Sequence, residues 1–209
     1  MQPLEKRPTN YARNVYHAIS AVAALIVVHH VFIGPRLVWS ATAFFVWVWG
    51  VELARHYSAT VNGWVLALFG KVIHPGERQG LSSGAWYALG LLLLALQGDR
   101  LVMTVAIVAL GFGDPAAAMI GRRWGKIALT KGRTLEGTLA FVVVSTLCCM
   151  LALTLYFAEQ GLGQNLLYAL AGSVAGALSE VLLRKIDDNL AIPVCAGAIV
   201  WVLRMSGRL

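Results

Sequence analysis

Apolar runs dominate the chain. They cover roughly 14–33, 36–54, 81–97, 101–121, 135–158, 164–183 and 189–205. Each suits a helix of about 20 residues, the length that crosses the hydrocarbon core of a bilayer. Between the second and third runs, residues 57–74 set Trp64, Leu66, Leu68 and Phe69 among Asn62, Gly63 and Lys71. That segment is too polar and too short to span, and it predicts a short amphipathic helix lying on the membrane surface. The pattern predicts an all-α polytopic membrane protein of about seven transmembrane helices, with residues 1–209 forming one domain.

One run carries an acid in its middle. Gly111-Phe112-Gly113-Asp114-Pro115 interrupts the fourth run. The glycines and the proline predict a broken helix. Asp114 would cap the second piece, and Pro115 suits its first position. A carboxylate at membrane depth is costly, so it usually faces a cavity and marks a functional site. Amides freed at such a break, with the helix dipole, favour an anion or a metal-bound phosphate.

Composition agrees with the pattern. Of 209 residues, 58% are hydrophobic and 13% charged, about half the charge of a soluble domain. The net charge of +7 fits the positive-inside rule better than nucleic acid. With the N-terminus inside, seven spans place thirteen of the 17 Lys and Arg residues on the inner side, all but Arg36, Arg100, Arg204 and Arg208. The acids fall on the same side except Asp99 and Glu159. Acidic residues do not obey that rule, and a shared cytoplasmic active site explains their placement. The first run, with His29 and His30 and no cleavage site, reads as an uncleaved span rather than a signal peptide. Cys148, Cys149 and Cys195 lie in apolar runs without metal or disulfide spacing and read as packing residues.

Three constellations carry chemistry. Asp114 is the first. The second is the loop 121–137, which holds Arg122, Arg123, Lys126, Lys131 and Arg133, punctuated by glycines and closed by Glu136. Cations neutralise phosphate, and glycines let backbone amides approach it. No Walker A motif occurs in the chain. The third is Glu180, Arg184, Asp187, Asp188 and Asn189, before Ile192-Pro193. Helical spacing pairs Glu180 with Arg184, and the adjacent carboxylates suit Mg²⁺, which takes few protein acids plus phosphate and water. Upstream, Arg13 and His17 share a helix face, Glu52 and Arg55 are spaced i, i+3, and Glu77 precedes the third run. Gly172-x-x-x-Gly176 is a helix-packing signature, and the small-residue faces permit a homodimer.

Together these motifs resemble the CTP-dependent lipid-alcohol kinases, the family of dolichol kinase, phytol kinase and the CTP-using diacylglycerol kinase. The likeness rests on Gly113-Asp114-Pro115-Ala116-Ala117, Gly121-Arg122, Gly125-Lys126, Gly132-Arg133-Thr134-Leu135-Glu136-Gly137 and Asp187-Asp188-Asn189-Leu190 with Ile192-Pro193. Arg13 to His17, Glu52 to Arg55 and Glu77 to Tyr87 look like its upstream elements. The chain resembles a short bacterial member. Arg133 stands where the family is expected to have lysine, which exchanges a point donor for a fork. The family is also similar to the CDP-diacylglycerol synthases.

The resemblance implies a multi-pass inner-membrane enzyme with its N-terminus and active site at the cytoplasmic face. It implies transfer of the γ-phosphoryl group of CTP, with Mg²⁺, to a membrane lipid alcohol of polyprenol, phytol or diacylglycerol type. Asp114 with Asp187 or Asp188 would hold the metal, and Arg122, Lys126, Lys131, Arg133 and Asn189 the nucleotide and its phosphates. Glu136 or an aspartate would orient or deprotonate the hydroxyl. Arg13, His17, Glu52, Arg55, Glu77, Glu180 and Arg184 would support the site. The alternatives are a cytidylyltransferase that forms a CDP-lipid and, more remotely, a small transporter.

Overall fold

The computed structural model describes residues 10–73, 75–77, 80–130 and 132–207. Lys131 of the basic loop lies outside the described residues, as do Lys6, Arg7, Arg78 and Arg208 of the charge count.

The protein is helical almost throughout: α1 Tyr11–Ile26, α2 Pro35–Tyr57, α3 Ala59–Phe69, α4 Ser83–Gln97, α5 Arg100–Val108, α6 Asp114–Trp124, α7 Leu135–Tyr156, α8 Leu162–Leu182 and α9 Asp188–Ser206. A two-stranded antiparallel hairpin, β1 Ala128–Thr130 and β2 Arg133–Thr134, stands between α6 and α7. Among the described residues, six helical segments are long and apolar enough to cross a membrane, counting Tyr11–Val31 and Arg100–Trp124 as continuous helices. The chain is a multi-pass membrane protein.

The expected third span differs from the rest. It forms α4, of 15 residues, which at 1.5 Å per residue is only about 22 Å long. Its start is held by polar contacts to Ser82 and Ser83, and its end by Gly98 in the left-handed conformation (φ 82°). Within the segment 57–74, Ala59–Phe69 form the separate helix α3, capped by the Ser58 hydroxyl. No residue of α3 is buried. Its polar Asn62 receives a hydrogen bond from Arg55, and Trp64 and Leu68 are exposed.

The helix at Asp114 swells where a break was expected. Residues Ala109–Gly113 form a π-helical turn that joins α5 directly to α6. Gly113 and Asp114 both keep right-handed helical angles, so Asp114 is not an N-cap. A π turn widens the helix by one residue, a feature often found at functional sites. Tight packing surrounds this turn. A Cβ on Gly111 would fall 2.1 Å from the Ala21 Cβ, and one on Gly113 would fall 2.8 Å from the Phe141 ring. Glycine therefore lets α1 and α7 close onto the turn. A second π turn, Val27–Val31, ends the first span.

The core is centred on α5. Leu101 to Val108 are all buried, packed by α7, α8, α9 and α1. A helix apolar on every side belongs inside a bundle. Phe141, fully buried, fills the layer below the π turn beside Ala117, Ala177 and Ile192.

Polar residues collect at the two ends of the bundle. One end joins His29 to Thr104 at 2.8 Å, Arg100 to the Val28 carbonyl and Arg204 to Asp99 at 2.6 Å. The other gathers the start of α1, the end of α2, the starts of α4, α7 and α9, the end of α8 and the hairpin.

Candidate active site

Asp114, Glu180 and Asp188 meet at that second end. Each offers a carboxylate oxygen, and these oxygens lie within 4.8 Å of one another. The residues come from three helices. Asp114 opens α6 just after the π turn, Glu180 lies in the last turn of α8, and Asp188 opens α9. Glu180 is only 3% exposed, and its Oε1 accepts no hydrogen bond. Among the described residues, Asp114 has neither a hydrogen bond nor an ion pair. Like charges gathered this closely repel, and a cation or a bound proton relieves them.

Arg133 supplies one positive charge. Its Nη1 lies 2.9 Å from Glu180 Oε1, an ion pair whose angle gives no hydrogen bond, and its Nη2 donates to Asp188 Oδ2. Burial opposes the guanidinium charge, but Glu180 first and Asp188 next outweigh it, so the Arg133 pKa stands above its ordinary value. The geometry corrects the expected pairing of Glu180 with Arg184. Helix α8 ends at Leu182, and Leu183 leaves helical angles (φ −94°, ψ 49°). The i, i+4 register is lost, and Arg184 is exposed.

Asp187 has another duty. Its Oδ1 accepts from the backbone N–H of Asn189 at 3.0 Å and from the Asn189 side-chain amide at 2.8 Å, capping α9. Of the two adjacent aspartates expected as alternatives on the metal, Asp188 joins the carboxylate group and Asp187 closes the helix start. Asn189 is buried against that cap. Arg13 and His17, both on α1, lie within electrostatic reach of Asp114 and Asp187.

The upstream pairs form a connected network. Arg55 meets Glu52 at 2.7 Å, both nearly excluded from solvent. Arg55 also donates to the Glu77 carbonyl at 2.9 Å, and Glu52 accepts from the Ser82 N–H at 3.0 Å and hydroxyl at 2.7 Å. The Glu77 carboxylate takes Arg13 at 2.9 Å on one oxygen and the Ser83 N–H and hydroxyl on the other. Ser82 and Ser83 were not singled out in the sequence. Serines at the start of an apolar run, shortly after an acid, are the available signal for them.

The loop residues divide as well. Arg122, Arg123 and Lys126 are exposed, and Arg123 lies 5.0 Å from the centre of the Trp124 ring. Glu136 accepts from the Ile127 N–H at 3.2 Å, and Thr134 caps α7 through the Gly137 N–H at 3.2 Å. Glu136 thereby fixes the base of the hairpin that carries Arg133.

Known proteins share this sequence pattern. The chain is 25% identical to CTP-dependent diacylglycerol kinase 1 of Schizosaccharomyces pombe over 65% of its own length and 68% of the relative. It is 24% identical to the protein of the same name from Saccharomyces cerevisiae, over 87% and 69%. It is 30% identical to the phytol kinase of Synechocystis sp. over 58% of this chain and 49% of that relative. These relatives are lipid kinases, and the chain is similar to them in sequence. Members of the family are phosphotransferases acting on an alcohol group, and the expectation from the motifs is borne out at that level. No family model and no solved structure matches the chain.

Proposed function

We propose that this protein transfers the γ-phosphoryl group of CTP to the hydroxyl of a membrane lipid alcohol. The supporting observation is the set of three carboxylates, from α6, α8 and α9, gathered around Arg133 at one end of the bundle. Phosphoryl transfer asks little covalent chemistry of a protein and depends on positioning and charge stabilisation.

The site fits Mg²⁺. The ion prefers hard oxygen ligands shared with substrate phosphates, and the buried Glu180 Oε1 lacks a hydrogen-bond donor. Asp114, Glu180 and Asp188 would hold it. When bound, it supplies neutralisation of the charge on the transferring phosphoryl oxygens. Arg133, with the exposed Arg122 and Lys126, binds the triphosphate. Arg13 screens the site from the α1 side, tied in place by Glu77. In the reaction the lipid hydroxyl oxygen bonds to the γ-phosphorus, the bond from that phosphorus to the β–γ bridging oxygen breaks, and CDP leaves. The hydroxyl proton passes to the Asp114 carboxylate, the member of the three with no ion pair among the described residues. The acceptor tail stays in hydrocarbon while its hydroxyl reaches the polar end of the bundle.

The concentration of Lys and Arg in loops on this side supports a site at the cytoplasmic face of the inner membrane, by the positive-inside rule. The deciding experiment is product analysis with purified protein and a panel of polyprenol, phytol and diacylglycerol. The kinase labels lipid from γ-labelled CTP and not from α-labelled CTP. A cytidylyltransferase gives the reverse pattern with phosphatidic acid, and that result would overturn the reading.

A further inference from the structure

Arg133 stands where lysine is expected from the family likeness, and its fork spans two of the three carboxylates that would hold the metal. Nη1 faces Glu180 Oε1 at 2.9 Å, and Nη2 donates to Asp188 Oδ2. Resting on the metal-site reading above, we infer that Arg133 is a resident counter-ion that closes the metal site until nucleotide arrives. A divalent ion that takes Glu180 Oε1 and Asp188 Oδ2, the oxygens that face the guanidinium, displaces it from them. The released fork matches the geometry of phosphate oxygens, which it binds bidentately. Metal and triphosphate therefore enter together: the ion takes the carboxylates as the phosphates take the arginine.

Lysine carries the same charge but offers one point donor on a flexible stem, so it cannot hold both carboxylates as a planar fork does. Asp114, whose carboxylate makes no ion pair with Arg133, stays outside the lock and remains open for first contact with an incoming cation. The hairpin holds Arg133 in place. Glu136 fixes the hairpin base through Ile127, and Thr134, next to Arg133, caps α7.

The test is Mn²⁺ binding to purified protein in detergent without nucleotide, read by electron paramagnetic resonance. It compares the wild type with Arg133→Lys, Arg133→Gln, Glu180→Gln and Asp114→Asn. The lock predicts that Arg133→Lys and Arg133→Gln both bind Mn²⁺ about tenfold more tightly than wild type, the order expected when two part-shielded ion pairs are removed. Glu180→Gln and Asp114→Asn bind more weakly. If only Arg133→Gln tightens binding, charge alone is at work and the fork is not a lock. If neither Arg133 variant tightens binding while the carboxylate variants lose it, the inference fails and the metal site stands. If the carboxylate variants bind as the wild type does, or no protein binds Mn²⁺, the metal-site reading fails and the lock with it. Thermal unfolding of each variant identifies any loss of binding caused by misfolding, and two Arg133 variants keep the comparison open should one not fold.

Discussion

The Arg13 guanidinium lies 2.9 Å from the Glu77 carboxylate, 64 residues further along the chain. The other oxygen of Glu77 accepts from Ser83. One carboxylate thus ties the first turn of α1 to the first turn of α4, and it holds Arg13 within electrostatic reach of Asp114. Arg13→Ala and Glu77→Ala should each lower kcat/KM for CTP about tenfold. The double variant should be scarcely worse than either single one, because groups in contact couple by roughly 0.5–3 kcal/mol. Steady-state kinetics on the three variants checks this. Additive losses would show that the pair does not act as a unit.

Asp187 and Asp188 are neighbours with different tasks, and substitution should separate them. Asn is as good a helix cap as Asp, so Asp187→Asn should keep most activity. Asp187→Ala should cost about 1 kcal/mol of stability. Asp188→Asn should keep the fold and lose activity by about 100-fold or more, the scale seen when a group stabilising transition-state charge is removed. Turnover and thermal unfolding in detergent, measured together, distinguish the two residues.

The Glu52–Arg55 pair predicts a stability effect. Both side chains are nearly excluded from solvent. Arg55→Leu would strand the Glu52 charge, and loss of one partner of a buried pair costs about 3–5 kcal/mol. The variant should unfold at lower temperature and lose activity with it. The double variant Glu52→Gln/Arg55→Leu, which leaves no stranded charge, should recover part of that stability.

Close packing at the π turn makes a further prediction. Gly111→Ala would drive its methyl into Ala21, and overpacking of this kind costs about 1–3 kcal/mol. Activity and apparent Tm should both fall. The compensating Ala21→Gly should restore a share of each, measured on the single and double variants.

Much of this was legible in the chain, and the exceptions have physical causes. Leu101 to Leu110 is apolar on every side, and it forms the buried centre of the bundle. The weight placed on Asp114 agrees with its place in the carboxylate group. Glycine and proline around it suggested a break, but those residues also fit a widened helical turn, and composition does not separate the two. The Glu180–Arg184 pairing required α8 to continue. Leu182-Leu183-Arg184 carries no glycine or proline stop signal, yet the helix ends there. The partner that Glu180 takes, Arg133, is 47 residues away in sequence, and only the packing of α8 beside the hairpin brings it near. The shortness of α4 follows from the turn at Gly98 and from the contacts of Ser82 with Glu52 on α2 and of Ser83 with the nearby Glu77.

The most direct test of the central claim is γ-phosphoryl transfer from labelled CTP by wild type, Asp114→Asn, Glu180→Gln, Asp188→Asn and the triple variant in lipid vesicles. Residues that act as one unit are strongly non-additive. Each single change is predicted to abolish most transfer, and the triple variant to be little worse than the worst single one. Full CTP-dependent transfer by Asp114→Asn or by Glu180→Gln would contradict a shared carboxylate site.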